Sequence, residues 1–210
     1  MATDTAEKAG VDERYECATS TSNLRVDTRD GSPVSPADVI IAAGMSPSRL
    51  GMMLLRLHSE WDSSSKPRKL TLSQISALSL TMRDGNGRPD AARARREAAS
   101  WYSNELRILA QSLKSRSGVM AELMLWANLK GVSGDTVTAA LLHWLNAVCP
   151  VCDGHGLRKV DGQPALSARR CHACHGTGEV TEPAGAARVL GYFNYCLNAA
   201  RSSLKARLRP

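Results

Sequence analysis

Residues 149–178 constrain this chain more than any other stretch. They hold two copies of one pattern, CPVCDGHG from Cys149 and CHACHGTG from Cys171, with eighteen residues between Cys152 and Cys171. Four of the six cysteines therefore fall into two Cys-x-x-Cys pairs, Cys149/Cys152 and Cys171/Cys174, and each pair runs into Gly-x-Gly. Two residues between cysteines let both thiolates of a pair turn onto one ion. Glycines just after the pair let the backbone fold back and aim N–H groups at the sulfurs. Two such knuckles facing each other form a closed four-sulfur site, the donor set of one structural Zn2+ with no open position for substrate. The alternatives are two unrelated thiol pairs or a disulfide staple; spacing and duplication favour the metal. His155, His172 and His175 lie inside the knuckles and are each able to replace a cysteine. With four thiols in register they are expected to decorate the surface instead. The segment is poor in apolar residues and is expected to lose its structure without metal.

The rest of the chain is helical in pattern, and the fold class expected is all-α: a helical bundle with a helix-turn-helix-like pair and an inserted four-cysteine zinc-knuckle module. Aromatic residues make up only 4% of the 210-residue chain, which disfavours sheet. Residues 1–35 carry few apolar groups and are expected to be a disordered tail. A helical domain spans 36–148, the knuckle module 149–182, and a closing basic helix 183–210 packs back on the helical domain. Ser35-Pro36 and Ser46-Pro47 each read as a helix start. Leu50, Met53, Leu54, Leu57 and Trp61 form one buried stripe. Leu72, Ile75, Leu78 and Leu80 support a further helix. DGNGRPD at 84–90 is a turn. Ala94, Ala98, Trp101, Leu106, Leu109 and Leu113 face inward from a long helix over 89–114, whose Arg93, Arg95, Arg96 and Arg107 read first as a solvated face. The closing helix turns Val189, Phe193, Cys196, Leu197, Ala200 and Leu204 inward. Cys17 is expected to be a tail thiol.

Residues 119–147 read as two helices around Gly131-Val132-Ser133. Ala127 allows close approach, Gly131 takes the left-handed turn, Val132 and Val137 plug the corner and Ser133 caps the second helix. Such a pair either reads DNA or is an ordinary helical hairpin. In the DNA reading, Ser133, Asp135, Thr136, Thr138 and His143 face bases, with Gly134 among them. Lys130, Arg158, Lys159, Arg169 and Arg170 meet phosphates, the last four from a basic loop between the knuckles. The net charge of +7 suits a polyanionic partner. No secretory pattern and no membrane-length apolar run is present. With the paired cysteines this points to a reducing cytoplasm. No serine–histidine–acid set, phosphate loop or carboxylate pair is legible, so no enzyme and no small-molecule substrate are expected.

Two families carry Cys-x-x-Cys-x-Gly-x-Gly knuckles. J-domain chaperones have four such repeats and a His-Pro-Asp tripeptide that this chain lacks. The chain more closely resembles the late antitermination proteins, called Q, of lambdoid phages. SPADVIIAAGMSPSRLGM at 35–52 is similar to the early segment of that family, and a helical body is followed by two knuckles. The resemblance spans about residues 35–185, and one basic helix ends the chain where the family's lambda-type members continue with a longer helical tail. The resemblance implies that Cys149, Cys152, Cys171 and Cys174 are the zinc ligands. It further implies a factor that binds DNA at a late promoter, joins paused bacterial RNA polymerase with its sigma factor, and lets the polymerase read through terminators in the cytoplasm of the bacterial host. The competing readings are a zinc-containing DNA-binding regulator that never joins polymerase, and a chaperone-like knuckle protein.

Overall fold

The computed structural model describes residues 10–21, 35–159 and 166–208. Among these, eight helices and two short strands follow one another: α1 Val11–Ser20, α2 Pro36–Gly44, α3 Arg49–Ser63, α4 Leu72–Thr81, α5 Ala91–Ser112, α6 Arg116–Lys130, α7 Gly134–Leu145, β1 Leu157–Lys159, β2 Leu166–Arg170 and α8 Ala187–Arg207. The protein is all-α apart from that strand pair. No described helix is long and apolar enough to cross a membrane.

The last helix is the centre of the bundle. Val189, Phe193, Cys196, Leu197, Ala200 and Leu204 recur at helical spacing along α8, and all six are buried. This face packs against α3, α7, α2 and α1. The approach of α3 is close because Gly51 has no side chain: a Cβ there would stand 2.1 Å from the Cys196 carbonyl oxygen and 2.8 Å from the Ala200 Cβ. Ser48, which precedes α3, donates its hydroxyl to the same carbonyl at 2.9 Å. That bond draws Ser48 towards α8, and α3 starts at Arg49 rather than at Pro47. Gly51→Ala is therefore expected to destabilise the fold by about 1–3 kcal/mol, the usual cost of overpacking. A urea melt with an unshifted midpoint contradicts this close approach.

α2 begins as its sequence indicates. The Ser35 hydroxyl accepts the Asp38 N–H at 3.2 Å, and the Asp38 carboxylate accepts the Ser35 N–H at 2.9 Å. These reciprocal bonds satisfy two otherwise orphaned donors, and the bonds from Ser35 hold the Asp38 carboxyl below its ordinary range.

Three expectations are corrected. The first is a disordered tail over residues 1–35: residues 11–20 form α1, with Tyr15 and Ala18 buried. Asp12 on α1 accepts from Arg201 of α8 at 2.9 Å and 2.5 Å. Two buried side chains and one distant ion pair dock this helix, and neither makes a periodic stripe in the sequence. Residues 1–9 and 22–34 of that expectation lie outside the described residues. The second is the inward placement of Trp101 on α5, which is 43% exposed; Leu72 and Leu80 lie on the helix expected of them, α4, and are 60% and 63% exposed. α4 packs chiefly on α5, and the two helices close on the small residues Ser79, Ala94 and Ala98, which are buried. Among the described residues no third layer covers the outer side of the hairpin, and Leu72, Leu80 and Trp101 stay in water. The third is the loop between the knuckles. β1 and β2 pair antiparallel within it, Leu157 opposite Arg170 and Lys159 opposite Leu166. Residues 160–165 lie outside the described residues.

α6 and α7 meet at the corner expected of them. Gly131 is left-handed at φ 65° and ψ 34°, a conformation that L side chains resist. Val132 donates its N–H to Ala127 at 2.9 Å. Ala127 and Val137 are buried at the junction, and Ser133 caps α7 by accepting the Thr136 N–H at 3.2 Å.

Candidate metal centre

The knuckle module is inserted between α7 and α8 on a short antiparallel stem. Val180 donates its N–H to Ala147 at 2.7 Å, and Val148 bridges to Glu179. Beyond the stem the two knuckles are built alike. Asp153, Gly154 and Gly156 of the first have φ of 49°, 83° and 70°; His175, Gly176 and Gly178 of the second have 54°, 100° and 80°. Positive φ turns each chain sharply after its second cysteine, and among non-glycine residues Asp and His tolerate it best. The turn delivers the Gly156 N–H to the Cys152 sulfur and the Gly178 N–H to the Cys174 sulfur, each at 3.3 Å.

The knuckles also grip each other. Cys149 donates its N–H to the Gly178 carbonyl, and Cys171 to the Gly156 carbonyl, both at 2.8 Å. A Cβ on Gly156 would lie 2.4 Å from the Gly176 carbonyl oxygen, and one on Gly178 would lie 2.3 Å from that of Gly154. Only glycine allows that interlock at these two positions.

The result is a buried cluster of four sulfurs, separate from the helical core. The Sγ atoms of Cys149, Cys152, Cys171 and Cys174 all lie within 4.8 Å of one another, so the group is able to hold a metal ion. Cys152 and Cys174 approach to 3.6 Å, well beyond the roughly 2.05 Å of a disulfide. Four sulfurs about 2.3 Å from one tetrahedral ion stand about 3.8 Å apart, so the spacing fits a metal. Burial pushes the Cys152 thiol up to about 11, against the opposing Gly156 N–H. At Cys174 burial also acts upward, but the N–H groups of Gly176 and Gly178 and the neighbouring thiols bring it down to about 6. The N–H groups aimed at these sulfurs stabilise thiolate, the form that binds a metal ion. His155, His172 and His175 are exposed and stand outside the cluster.

Lys69, from the α3–α4 loop, ties the module to the helices. Its ammonium donates to the Pro150 carbonyl at 2.5 Å and pairs with the Asp153 carboxylate. Nothing local in the sequence marks Lys69, because its partners are more than eighty residues away.

The expected DNA-contacting residues fall on two elements. Arg158, Arg169 and Arg170 are exposed on the β1–β2 hairpin, and Lys159 is in β1. The ladder shifts register between Leu157 and Lys159, at the position of Arg158 and Arg169. The aliphatic stem of Arg170 lies against Gly176. At the helical corner Ser133 and Asp135 are exposed, while Thr136, Thr138 and His143 are half-buried. The Ser133 and Thr136 hydroxyls bond each other at 2.8 Å, and Thr138 donates to the Gly134 carbonyl at 2.9 Å. Those hydroxyls complete the start of α7. Lys130 is exposed at the end of α6, and its carbonyl accepts from Arg188 of α8 at 3.1 Å, a contact between residues that no local pattern links. Ser133 opens α7 and the module follows its far end, about 18 Å away at 1.5 Å per residue.

No protein-family model, curated protein or solved structure matches this chain. The site itself therefore carries the functional reading. An ion held by four protein sulfurs has no vacant position for water or substrate. What such a centre does is fix backbone, and the backbone it fixes carries the basic hairpin.

Proposed function

We propose that this chain is a transcription antitermination factor of the lambdoid phage Q type. In this reading it binds DNA at a late promoter and joins paused RNA polymerase so that the enzyme passes terminators. The observation that carries it is the duplicated four-cysteine knuckle presenting a two-stranded basic ribbon from a body with a glycine-cornered helix pair. The knuckles and the 35–52 segment are also what resembles that family. The ion is Zn2+, which thiolate sets of this kind suit, and its role is structural.

The ribbon supplies the charge that the helical corner lacks. A B-DNA major groove admits either a helix or a two-stranded ribbon, and Arg158 and Arg169 are exposed on this one. Lys159 and Arg170 add to the attraction for phosphates. Asp135, exposed at the start of α7, is the corner residue left to meet bases, since the Ser133 hydroxyl caps the helix. DNA binding near the promoter raises the local concentration of the factor at the paused polymerase, and protein contacts then hold it there. No bond is made or broken by the factor itself.

Transcription through a terminator placed behind the cognate late promoter tests the reading; read-through must rise when the protein is added. Unchanged termination with DNA still bound replaces it with a zinc-containing regulator that does not join polymerase. The Arg158→Ala/Arg169→Ala variant should weaken binding to every DNA sequence alike and reduce the salt slope by about 2. A slope equal to the parent's moves the DNA surface off the ribbon.

A further inference from the structure

α5 belongs to the helical core only near its end. Among the described residues, Leu106, Leu109 and Ala110 of this helix join the core cluster. Ala94 and Ala98 are buried outside that cluster, in the hairpin with α4. The first part of α5 is therefore an arm. On the side opposite Ala94 and Ala98, Arg93, Arg96, Ser100, Ser103 and Arg107 recur at steps of three and four, in one row, and all five are exposed. The row is about 21 Å long at 1.5 Å per residue. It holds no apolar side chain and no carboxylate, and Glu97, the exposed acid of α5, lies off it.

The arginines of the row are unmatched. Arg49, Arg56 and Arg201 of other helices are each paired with a carboxylate. Among the described residues no ion pair holds Arg93, Arg96 or Arg107, and Arg107 donates to the Asn104 side-chain oxygen at 2.8 Å. Arg93 is also badly placed for helix stability. It is the third residue of α5, whose first turn has no acid. The helix dipole makes that end positive, so a cation there is disfavoured until an anion meets it. The nearby Asp90 carboxylate is committed to the Arg93 N–H, at 2.8 Å.

We propose that this row is a second DNA-contacting surface, laid along the major groove of a B-form duplex with its arginines on the phosphates. Charge complementarity names the partner. Three unmatched guanidinium groups offer forked donors that suit phosphate oxygens, and Ser100 and Ser103 add hydroxyl donors of the kind that position a protein on the backbone. A protein partner docks around an apolar centre, which the row lacks, whereas DNA interfaces are polar and strongly positive. A single strand is held by stacking its bases on aromatic rings, and Trp101, the exposed ring of α5, lies off the row. The deep major groove of duplex RNA is too narrow for side chains to read, and that of B-DNA admits a helix. At 3.4 Å per base pair the row spans about six pairs. It shares its partner with the ribbon reading and none of its residues, so each surface stands or falls alone.

Binding of the zinc-loaded full chain to a DNA duplex of about 30 base pairs, followed by fluorescence anisotropy across a salt series, tests it. Arg93→Ala/Arg96→Ala/Arg107→Ala should lower the slope of log affinity against log salt by about 3, since each lost phosphate contact removes about 0.9. Helix content and melting temperature should stay at the parent's values, because the three side chains stand in water without a carboxylate. Arg95→Ala, on α5 but off the row, should keep the parent's slope. Joined to Arg158→Ala/Arg169→Ala, the triple change should bring the total loss to about 5. A row variant that lowers the slope while the ribbon variant does not supports the row and removes the ribbon. A row variant with the parent's slope on duplex DNA overturns the proposal, whatever protein it ceases to capture. A loss confined to single strands or to duplex RNA of the same sequence overturns it as well.

Discussion

Replacing Cys174 by serine should abolish stoichiometric metal binding and unfold residues 147–159 and 166–180 while the helical core stays folded. Cys174 is buried, accepts the Gly178 N–H at 3.3 Å and lies 3.6 Å from the Cys152 sulfur. A serine oxygen is neutral at neutral pH and a poor partner for a soft ion. Losing a supporting group behind a ligand already costs about 10–100-fold in metal affinity, so losing the ligand itself costs more. Metal binding contributes about 10–16 kcal/mol to modules of this kind, as much as the whole stability of an ordinary domain. The rest of the module has little else to hold it, since among the described residues its buried cluster consists of the four cysteines. Hydrogen exchange reads the outcome residue by residue. The amides of Cys149, Cys171 and Val180, which bond across the knuckles and the stem, should lose protection. Those of α3 and α8 should keep it, because the two buried clusters are separate and the Lys69 tie between them is solvent-exposed. Retained protection at the knuckle amides in Cys174→Ser sinks the idea that metal orders them.

Phe193→Ala should be the most damaging single change in the helical body, at about 3–5 kcal/mol. Phe193 is fully buried and sits on the inward stripe of α8. Its ring meets the edge of Trp144 at 5.8 Å between centroids, and Trp144 in turn meets His58 of α3 at 5.1 Å. Truncation leaves a cavity where α3, α7 and α8 converge, and few neighbours are free to collapse into it. Urea unfolding followed by tryptophan emission measures the loss and also reports the changed surroundings of Trp144. Leu129→Ala, on an exposed position, should move the midpoint by less than about 0.5 kcal/mol. Equal effects of the two changes contradict the placement of the core.

The parts of this structure that are legible in the sequence are those fixed by local chemistry. The stripe on α8 needs only helical spacing, and the corner at Gly131 needs only one residue able to take positive φ. The cysteine cluster is legible because a short repeat written twice fixes four ligands. What escapes reading depends on distant neighbours. Whether Trp101 lies inside or outside depends on which other elements cover α4 and α5, which no spacing encodes. α1 is held by Tyr15, Ala18 and an ion pair to Arg201, a residue 189 positions further on. The hairpin strands are three and five residues long and rich in arginine, too short and too polar to stand out from a loop. At the corner the turn is readable, but the local bonds of the Thr136 and Thr138 hydroxyls, to Ser133 and to the Gly134 carbonyl, are not. Competition between capping a helix and facing outward is settled only by rotamers.

Metal analysis of the purified, reduced chain decides most directly whether the cysteines work as argued. One zinc per polypeptide should be found, and a strong chelator should remove it together with the ordered structure of residues 147–159 and 166–180. A chain that carries no zinc, and whose knuckle amides stay protected in chelator, contradicts the metal-held ribbon and everything inferred from its position.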